Sequence, residues 1–479
     1  MRLRTLVLFA VFAILMPQLR VAAQSLPVTA NAGAKAQFER GMVLMENLRQ
    51  EEALAAFKQA AKQDSNCAVC QLFIAYATKD PAEDAAARAQ AKALALKASA
   101  GEQLEIRWLA GIRESDFMNA IAAMNDLLSQ YPKDKRVHFL AGRWLVQQEE
   151  YAPGEKMLEK ALAVDANYPA ALNEIGYAYA YTRDFEKALG AMDRYVKLLP
   201  REPNPQDSYG EISRMGGRFP ESLAHYSAAL KLDPKFFTSQ LGLGDTLALM
   251  GEQEKARAEY NKAAQMAESD SDRVDATMQW AISYVREKKF AEADRALGLA
   301  AEKAHHGGLA TREAAAHRMM AMYQESPEAQ LKHLEAAEAA LAERHNAASS
   351  DVEQERARIL RWKAAPALLA LKNGKAITAK ALAELEKMST ASRDVVVQRQ
   401  YHAAAGIMLA HEGKAAAAIP HLEEDATSPF SSLVLLSAYV SAGDTASAAT
   451  LQKRLIGWNE PTLEQALVVP SLRAELAKR

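Results

Sequence analysis

The sequence has only two cysteines among 479 residues and almost no charge imbalance, with 58 Lys and Arg against 60 Asp and Glu. Two thiols exclude a four-cysteine zinc site. The absence of a basic excess argues against a nucleic-acid-binding protein. No Asn-x-Ser/Thr sequence occurs, so no N-glycosylation is expected. Together with the scarcity of cysteine, this favours a bacterial source.

Metal-binding and catalytic motifs are also missing. His305 and His306 are adjacent without a spaced carboxylate, and His402 and His411 lie too far apart for one turn of a helix face. There is no zinc-protease histidine pair, no complete phosphate-binding loop, no dinucleotide-binding glycine fingerprint and no Gly-x-Ser-x-Gly nucleophile motif. We therefore predict no catalytic, cofactor-binding or metal-binding residue. The acidic pair Glu149-Glu150 is expected to be a solvated face.

Residues 1–23 have the pattern of an export signal. Arg2 and Arg4 precede the apolar run Leu6–Met16, and the small residues Val21-Ala22-Ala23 suit cleavage before Gln24. The run is shorter than the roughly 20 residues of an ordinary spanning helix. A lipoprotein is not expected, because no cysteine lies near the cleavage site. We expect a periplasmic or secreted chain without a membrane span after cleavage, and an uncleaved anchor is the alternative.

A pattern repeats every 34 residues through the middle of the chain. It is carried by glycines at one position and by small residues at another, and the two sets are Gly142, Gly176, Gly210 and Gly244, and Gly154, Ala188, Ser222 and Ala256. Phe185 and Phe219, Tyr226 and Tyr260, Pro200 and Pro234, and the series Ala161, Tyr195, Ala229 and Ala263 keep the same step. A fixed period of this length predicts an array of small helical units. A bundle with chance periodicity is the alternative.

Pro169–Glu202 shows how one unit is built. Apolar residues at helical spacing define one face of a first helix, and a second helix begins after a short polar break and stops before Pro200. Gly176 and Ala188 are small because two antiparallel helices cross there. One hairpin cannot bury both of its faces, so the units are expected to stack into a continuous solenoid.

These residues resemble the tetratricopeptide repeat family. Gly176, Tyr179, Phe185, Ala188 and Pro200 stand at its signature positions, whereas Leu172 replaces the characteristic tryptophan. The repeats are therefore degenerate. The resemblance implies an all-α, right-handed superhelical solenoid of antiparallel helix hairpins, which usually binds proteins or peptides.

The rest of the chain extends the array. We predict a mobile linker at residues 24–33, the repeat array at 34–307, a more degenerate helical array at 308–457 and a C-terminal cap at 458–479. About eleven hairpins are expected in total. The stretch 68–103 is irregular and is expected to hold two helices joined at Lys79-Asp80-Pro81. The best candidate boundary lies near Asn346–Ser350.

Cys67 and Cys70 form the sharpest local motif. Two cysteines three residues apart at a helix start can form a disulfide, which would persist in an exported chain. No thioredoxin-like strand and helix pattern surrounds them, and Gln71 stands where haem attachment needs histidine. A local disulfide, a pair of packing residues, and a redox or metal role remain open.

The resemblance places the candidate binding surface on the concave side, at fixed positions of each first helix. These candidate groove residues are Arg136, Phe139, Arg143, Asn173, Tyr177, Tyr181, Asp207, Glu211, Arg214 and Asp245. Aromatic rings beside mixed charges suit an extended or helical peptide. The alternative for each is an ordinary exposed residue. The lysine–asparagine clamp of the family's chaperone adaptors is absent.

We therefore expect an exported, noncatalytic scaffold or adaptor that binds a protein or peptide partner through its concave groove, without a cofactor or nucleic acid. Two alternatives are an enzyme with a divergent site in the C-terminal half and a surface receptor for nutrients or carbohydrate. A cluster of titratable groups in a closed pocket would indicate the enzyme.

Overall fold

The computed structural model describes residues 25–114, 116–342 and 350–476. The predicted export signal at 1–23 lies outside these residues, as does the predicted boundary near Asn346–Ser350 except for its last residue. The described residues form helices and connecting turns without any strand. The all-helical fold class is therefore confirmed.

The first fourteen helices cover the N-terminal half of the chain. They are α1 (Ala32–Glu46), α2 (Gln50–Gln63), α3 (Ala68–Ala77), α4 (Pro81–Leu94), α5 (Ala100–Arg113), α6 (Phe117–Gln130), α7 (Lys135–Gln147), α8 (Tyr151–Val164), α9 (Pro169–Tyr181), α10 (Phe185–Leu198), α11 (Pro203–Met215), α12 (Phe219–Leu232), α13 (Phe237–Leu249) and α14 (Gln253–Met266). A single 3-10 turn, Ala95–Lys97, follows α4.

Eleven further helices cover the C-terminal half. They are α15 (Asp270–Arg286), α16 (Phe290–His306), α17 (Ala310–Ala321), α18 (Pro327–Ala342), α19 (Ser350–Lys363), α20 (Gly374–Ala391), α21 (Val395–His411), α22 (Ala415–Glu424), α23 (Pro429–Ala442), α24 (Thr445–Ile456) and α25 (Leu463–Leu476). A 3-10 segment, Pro366–Ala370, precedes α20.

Local sequence explains where the helices of one hairpin begin and end. Pro169 occupies the first turn of α9, where its missing N–H leaves no helical bond unmade. Asp184 caps α10 by accepting a hydrogen bond from the backbone N–H of Lys187 at 3.2 Å. The last helical residue of α10 is Leu198, and Pro200 lies two residues beyond it. The predicted unit is therefore correct in its start, turn and stop.

Small residues lie where the paired helices cross. A Cβ atom added to Gly244 would lie 2.5 Å from Cε1 of the Tyr260 ring, and one added to Gly210 would lie 2.9 Å from Cδ1 of Tyr226. Both rings are buried. The glycines of the 34-residue pattern thus make room for an aromatic ring of the partner helix.

The hairpins stack in chain order. Helices α1 to α24 pair into twelve consecutive hairpins, close to the number predicted, and the buried residues form a series of clusters that follow one another along the chain. This arrangement is the predicted solenoid. The last helix, α25, departs from it by packing against α15 as well as α23 and α24.

Two N-terminal stretches can be compared with the prediction. Between residues 68 and 103, the predicted pair of helices joined at Lys79-Asp80-Pro81 is confirmed as α3 and α4. The predicted mobile linker is hydrogen-bonded, because the backbone N–H of Leu26 donates to Asp134 at 2.6 Å and that of Thr29 donates to Glu102 at 2.7 Å. Helix α1 also begins at Ala32, inside that linker.

Candidate functional site

The first helices of successive hairpins line a common concave surface. Side chains of α13, α15, α17, α19 and α21 enclose a cavity of about 450 Å³ together with residues of the nonhelical segment Gly457–Thr462. We call this segment the C-terminal strap. Its position was not expected, because the sequence suggested only a cap at the end of the array.

The C-terminal strap is held by hydrogen bonds to the repeats. Arg183 donates to the carbonyl oxygen of Gly457 at 3.0 Å, and Arg214 donates to that of Asn459 at 2.9 Å. The side-chain amide of Asn459 donates to the carbonyl oxygen of Met215 at 3.2 Å. Two main-chain carbonyl groups of the strap are therefore recognised by arginines, one in the turn between α9 and α10 and one on α11, and one strap side chain is bound by the backbone of α11.

Arg214 is the centre of this contact. It is only 3% exposed, and besides the strap carbonyl it contacts the carboxylates of Glu211 at 3.2 Å and Glu460 at 3.5 Å. Tyr177 donates its hydroxyl proton to Glu211 at 2.8 Å. Arg214 ties the strap to the groove because its carboxylate partners lie on both, Glu211 on α11 and Glu460 on the strap. Removing either carboxylate would leave the buried guanidinium with less compensating charge.

Burial shifts the ionisation of the acidic groups around Arg214. It raises the pKa of Asp207 to about 7 and that of Asp245 to about 6, and it also raises the pKa of Glu460. Burial disfavours the charged form of Arg214, but the surrounding groups outweigh it and the pKa of Arg214 is raised well above its ordinary value. Arg214 is thus a permanent cation, and the Asp207 carboxyl near it is partly neutral at pH 7.

The ten predicted groove residues fall into different environments. Arg136 turns to α1, where it pairs with Glu39 at 2.6 Å and Glu46 at 2.9 Å. Phe139 is buried against the ring of Tyr168, with 5.4 Å between ring centroids. These two side chains therefore stabilise the packing of the array.

Four more of the predicted groove residues lie further along α7 and on α9. Arg143 is 3.8 Å from the carboxylate of Glu174, and Asn173 is partly buried. Tyr177 is partly buried at the Glu211 contact, whereas Tyr181 is 47% exposed. Tyr181 is the aromatic groove residue most accessible to a partner.

The remaining predicted residues meet around the strap or beneath it. Asp207 accepts a hydrogen bond from Ser239 at 2.6 Å, and Asp245 accepts one from Tyr260 at 2.9 Å. Both carboxyls are buried. Glu211 and Arg214 contact each other, so the structure brings together the acidic and basic positions of α11 and α13 but buries most of them.

The turns within the hairpins also face the C-terminal half. Glu149, Arg183, Gly217 and Gly251 are spaced at the repeat period and all have positive φ. Glycine adopts this conformation without strain, whereas a residue with a side chain is disfavoured there. Glu149 forms an ion pair with Arg399, and Arg183 binds the strap. The predicted solvated face at Glu149 is therefore in part an interface between distant hairpins.

Sequence reasoning missed a charged cluster at the far end of the cavity. Arg361 donates to Ser428 at 3.1 Å and to Ser431 at 3.0 Å, and it lies 3.4 Å from Asp425. Ser428 donates to Glu464 at 2.6 Å. Arg361 lies on α19, Asp425 and Ser428 lie in the turn before α23, Ser431 lies on α23, and Glu464 lies on α25. No local spacing in the sequence therefore indicated that they meet.

Cys67 and Cys70 are joined by a disulfide at the N-terminus of α3. Both residues are buried in the core of the first hairpins. The bond closes one turn of chain and anchors the start of the helix. Nothing in this environment is shaped as an accessible redox site, since neither cysteine is exposed.

A metal-binding cluster and a membrane-spanning helix are both absent from the part of the chain that the structure describes. It has no group of three or more His, Cys, Asp or Glu side chains placed to hold a metal ion. Within the same residues, no helix combines the length and the apolar character needed to span a bilayer.

Comparison with known sequences identifies the repeats. The family model described as tetratricopeptide repeat matches residues 142–203 and 216–272. A TPR repeat-containing protein of Treponema pallidum (strain Nichols) is 26% identical over 147 residues, which are 31% of this chain and 18% of that protein. This chain therefore matches less than a fifth of the length of its curated relative.

Several solved structures are similar to part of the chain. A crystal structure of MamA protein is 17% identical and covers 35% of this chain and 91% of its own, with a TM-score of 0.31. A tetratricopeptide repeat protein from Parabacteroides merdae is 12% identical. The match covers 64% of this chain and 99% of that protein, with a TM-score of 0.37. YrrB, described as a TPR protein with an unusual peptide-binding site, is 15% identical. The match covers 38% of this chain and 92% of YrrB, with a TM-score of 0.28. The family-model match shows that residues 142–203 and 216–272 are similar to tetratricopeptide repeats.

Proposed function

We propose that this chain is an exported, noncatalytic scaffold that binds an extended segment of a protein partner on its concave surface. Proteins built from tetratricopeptide repeats are typically protein-interaction scaffolds. The proposed location, periplasmic or secreted, rests on the sequence of residues 1–23. The proposed partner is a protein or peptide.

One observation carries the binding proposal. The concave surface already holds a nonhelical segment of polypeptide, since Arg183 and Arg214 donate to the carbonyl oxygens of Gly457 and Asn459. Recognition of main-chain groups does not depend on the side chains of the bound segment. A surface that binds its own chain in this way has the chemistry to bind an extended segment of another protein.

The cavity beside the strap supports the same proposal. One part of its wall is apolar, with Met278, Ile282 and Met319, and methionine side chains adapt to different ligand shapes. Its other wall carries the charged cluster around Arg361. A partner segment with both apolar and polar side chains would find complementary walls there.

Site-specific photocrosslinking tests the proposal. A photoreactive amino acid would replace Tyr181 on the concave surface and, as a matched control, the exposed Lys197 on α10. Both variants would be incubated with an envelope extract from the source organism and irradiated. We expect a discrete protein adduct from position 181 and not from position 197. Adducts of equal yield from both positions, or none at position 181, would contradict binding on the concave surface.

Catalysis is the second candidate function, because titratable groups do line the cavity. Asp425 is completely buried and contacts Arg361, and burial raises its pKa. The scaffold is preferred because these charged groups bond chiefly to one another, which leaves no free nucleophile with an adjacent base. Incubation of wild type and Asp425→Asn with a small-molecule extract decides between them, since only an enzyme converts a metabolite in an Asp425-dependent way.

A further inference from the structure

The C-terminal strap occupies part of the concave surface that the proposed function assigns to a partner. Its Gly457 and Asn459 carbonyl oxygens, two residues apart, both accept from arginines of the repeats. Arg183 lies in the turn between α9 and α10, and Arg214 lies on α11. The two arginines therefore recognise main-chain carbonyl groups of the strap from two successive hairpins, as they would recognise those of a bound peptide.

Side chains of the strap add selectivity to this recognition. Asn459 donates its amide to the carbonyl oxygen of Met215 at 3.2 Å, and Glu460 places its carboxylate 3.5 Å from Arg214. A carboxamide followed by an acidic residue thus fits adjacent hydrogen-bonding groups of α11. A segment without these two side chains would retain only the bonds to its main chain.

The strap is also shaped by its own C-terminal hairpins. Arg473 on α25 donates to the carbonyl oxygen of Ile456 and to the side-chain oxygen of Asn459, both at 2.8 Å. Arg473 belongs to the same part of the chain as the strap. The strap can keep its bonds to Arg473 when it leaves the repeats, whereas its bonds to Arg183, Arg214 and Met215 and the contact between α25 and α15 must break.

Resting on the proposed function, we propose that the C-terminal strap is an internal ligand that blocks the concave surface. The external partner is an extended peptide of the same chemistry, with Asn or Gln followed by an acidic residue, and it displaces the strap. When the strap leaves, Arg214 loses the Asn459 carbonyl and the Glu460 carboxylate and retains Glu211. A partner with a carbonyl group and a carboxylate at the same spacing restores both interactions.

If a peptide must displace the strap, the apparent affinity of the protein for that peptide depends on how firmly the strap is bound. A ligand that binds only the strap-released form has its affinity reduced by the fraction of molecules in that form. Weakening the strap without touching Arg183 or Arg214 should therefore strengthen binding of an external peptide. Removing the corresponding side chains from the peptide should weaken its binding to both proteins.

The test uses a fluorescent peptide with the sequence of residues 455–463, Leu-Ile-Gly-Trp-Asn-Glu-Pro-Thr-Leu. Its binding to the full wild-type chain and to the full-length variant Asn459→Ala/Glu460→Ala would be measured by fluorescence anisotropy. We expect about tenfold or greater tightening in the variant. A peptide with alanine at the Asn and Glu positions should bind both proteins more weakly than the unchanged peptide does. Lys453→Ala, an exposed change in the preceding helix, is the matched control and should bind like wild type.

Circular dichroism would establish that the variants are folded. Should the double variant unfold, Glu460→Ala alone gives the same comparison, because the Glu460 side chain is 30% exposed. Equal, tight binding of the peptide by wild type and variant would overturn the blocking role and leave peptide binding intact. No binding by either protein would overturn the peptide chemistry. The photocrosslink at position 181 reports on the proposed function independently of this peptide.

Discussion

The glycine at the crossing of α13 and α14 should tolerate no side chain. A methyl group added in Gly244→Ala would lie 2.5 Å from Cε1 and 2.6 Å from Cδ1 of Tyr260. The ring cannot easily retreat, because it is 1% exposed and its hydroxyl donates to Asp245 at 2.9 Å. Overpacking of a core costs about 1–3 kcal/mol. Replacing helical glycine by alanine returns about 0.5–1 kcal/mol, so the net loss of stability should be about 1–2 kcal/mol.

Gly190 provides the matched control, since it is exposed on α10 and a Cβ atom there would meet nothing within 4 Å. Gly190→Ala should stabilise the protein by about 0.5–1 kcal/mol. Gly176→Ala should fall between the two, because its methyl group meets the flexible end of Met192. Urea denaturation followed by circular dichroism would compare the midpoints. A Gly244→Ala variant as stable as Gly190→Ala would refute the explanation of the repeated glycines.

Two further predictions concern the N-terminal hairpins. Burial raises the pKa of Glu105 to about 8 from its ordinary 4.5. The stability that the neutral Glu105 carboxyl contributes is therefore fully present below pH 4.5. It is lost as pH rises towards 8, by at most about 1.4 kcal/mol per pH unit. Thermal melts from pH 5 to 8 should show a smaller decline for Glu105→Gln than for wild type or the exposed control Glu254→Gln, and equal slopes would contradict the burial of this carboxyl. For the disulfide, the oxidised chain should release no thiol to Ellman's reagent in denaturant, and Cys67→Ser/Cys70→Ser should lose about 2 kcal/mol by loop-closure entropy. Two free thiols before reduction would show that the bond does not form.

The hairpins could be predicted from the sequence because their determinants are local. Gly176 and Ala188 mark a crossing between neighbouring helices, and Pro169 and Asp184 mark helix starts. Each signal lies within a few residues of the structure it specifies. The helices α3 and α4 were predicted, but their stretch did not fit the repeat pattern because its alanine-rich sequence carries few of the residues that mark the repeat.

The placement of the C-terminal strap could not be predicted, because it depends on contacts between residues more than 240 positions apart, such as Arg214 and Asn459. Helical periodicity indicates which face of α11 is turned to the groove, but not what covers it. Arg214 was therefore expected to be accessible, whereas it is buried under the strap. The only local signal was the nonhelical run that contains Pro461 after the last hairpin.

The same limit applies to the candidate groove as a whole. The resemblance to the repeat family placed Tyr181 and Arg143 on the concave side, where both remain at least partly exposed. It also selected Phe139 and Asp207, which are buried in packing contacts. A repeat pattern specifies the direction of a side chain, whereas its accessibility depends on how the superhelix closes.

The central claim is that the C-terminal hairpins fold back against the turns of the repeats, and a double-mutant cycle between Glu149 and Arg399 tests it most directly. The two side chains form an ion pair across 250 positions of sequence, and both are partly buried. Stability would be measured for Glu149→Ala, Arg399→Ala and the double variant. We predict a coupling energy of about 1–2 kcal/mol, and a value near zero for the control cycle of Arg399 with the exposed Glu150. A coupling energy between Glu149 and Arg399 no larger than that of the control cycle would contradict the closed arrangement.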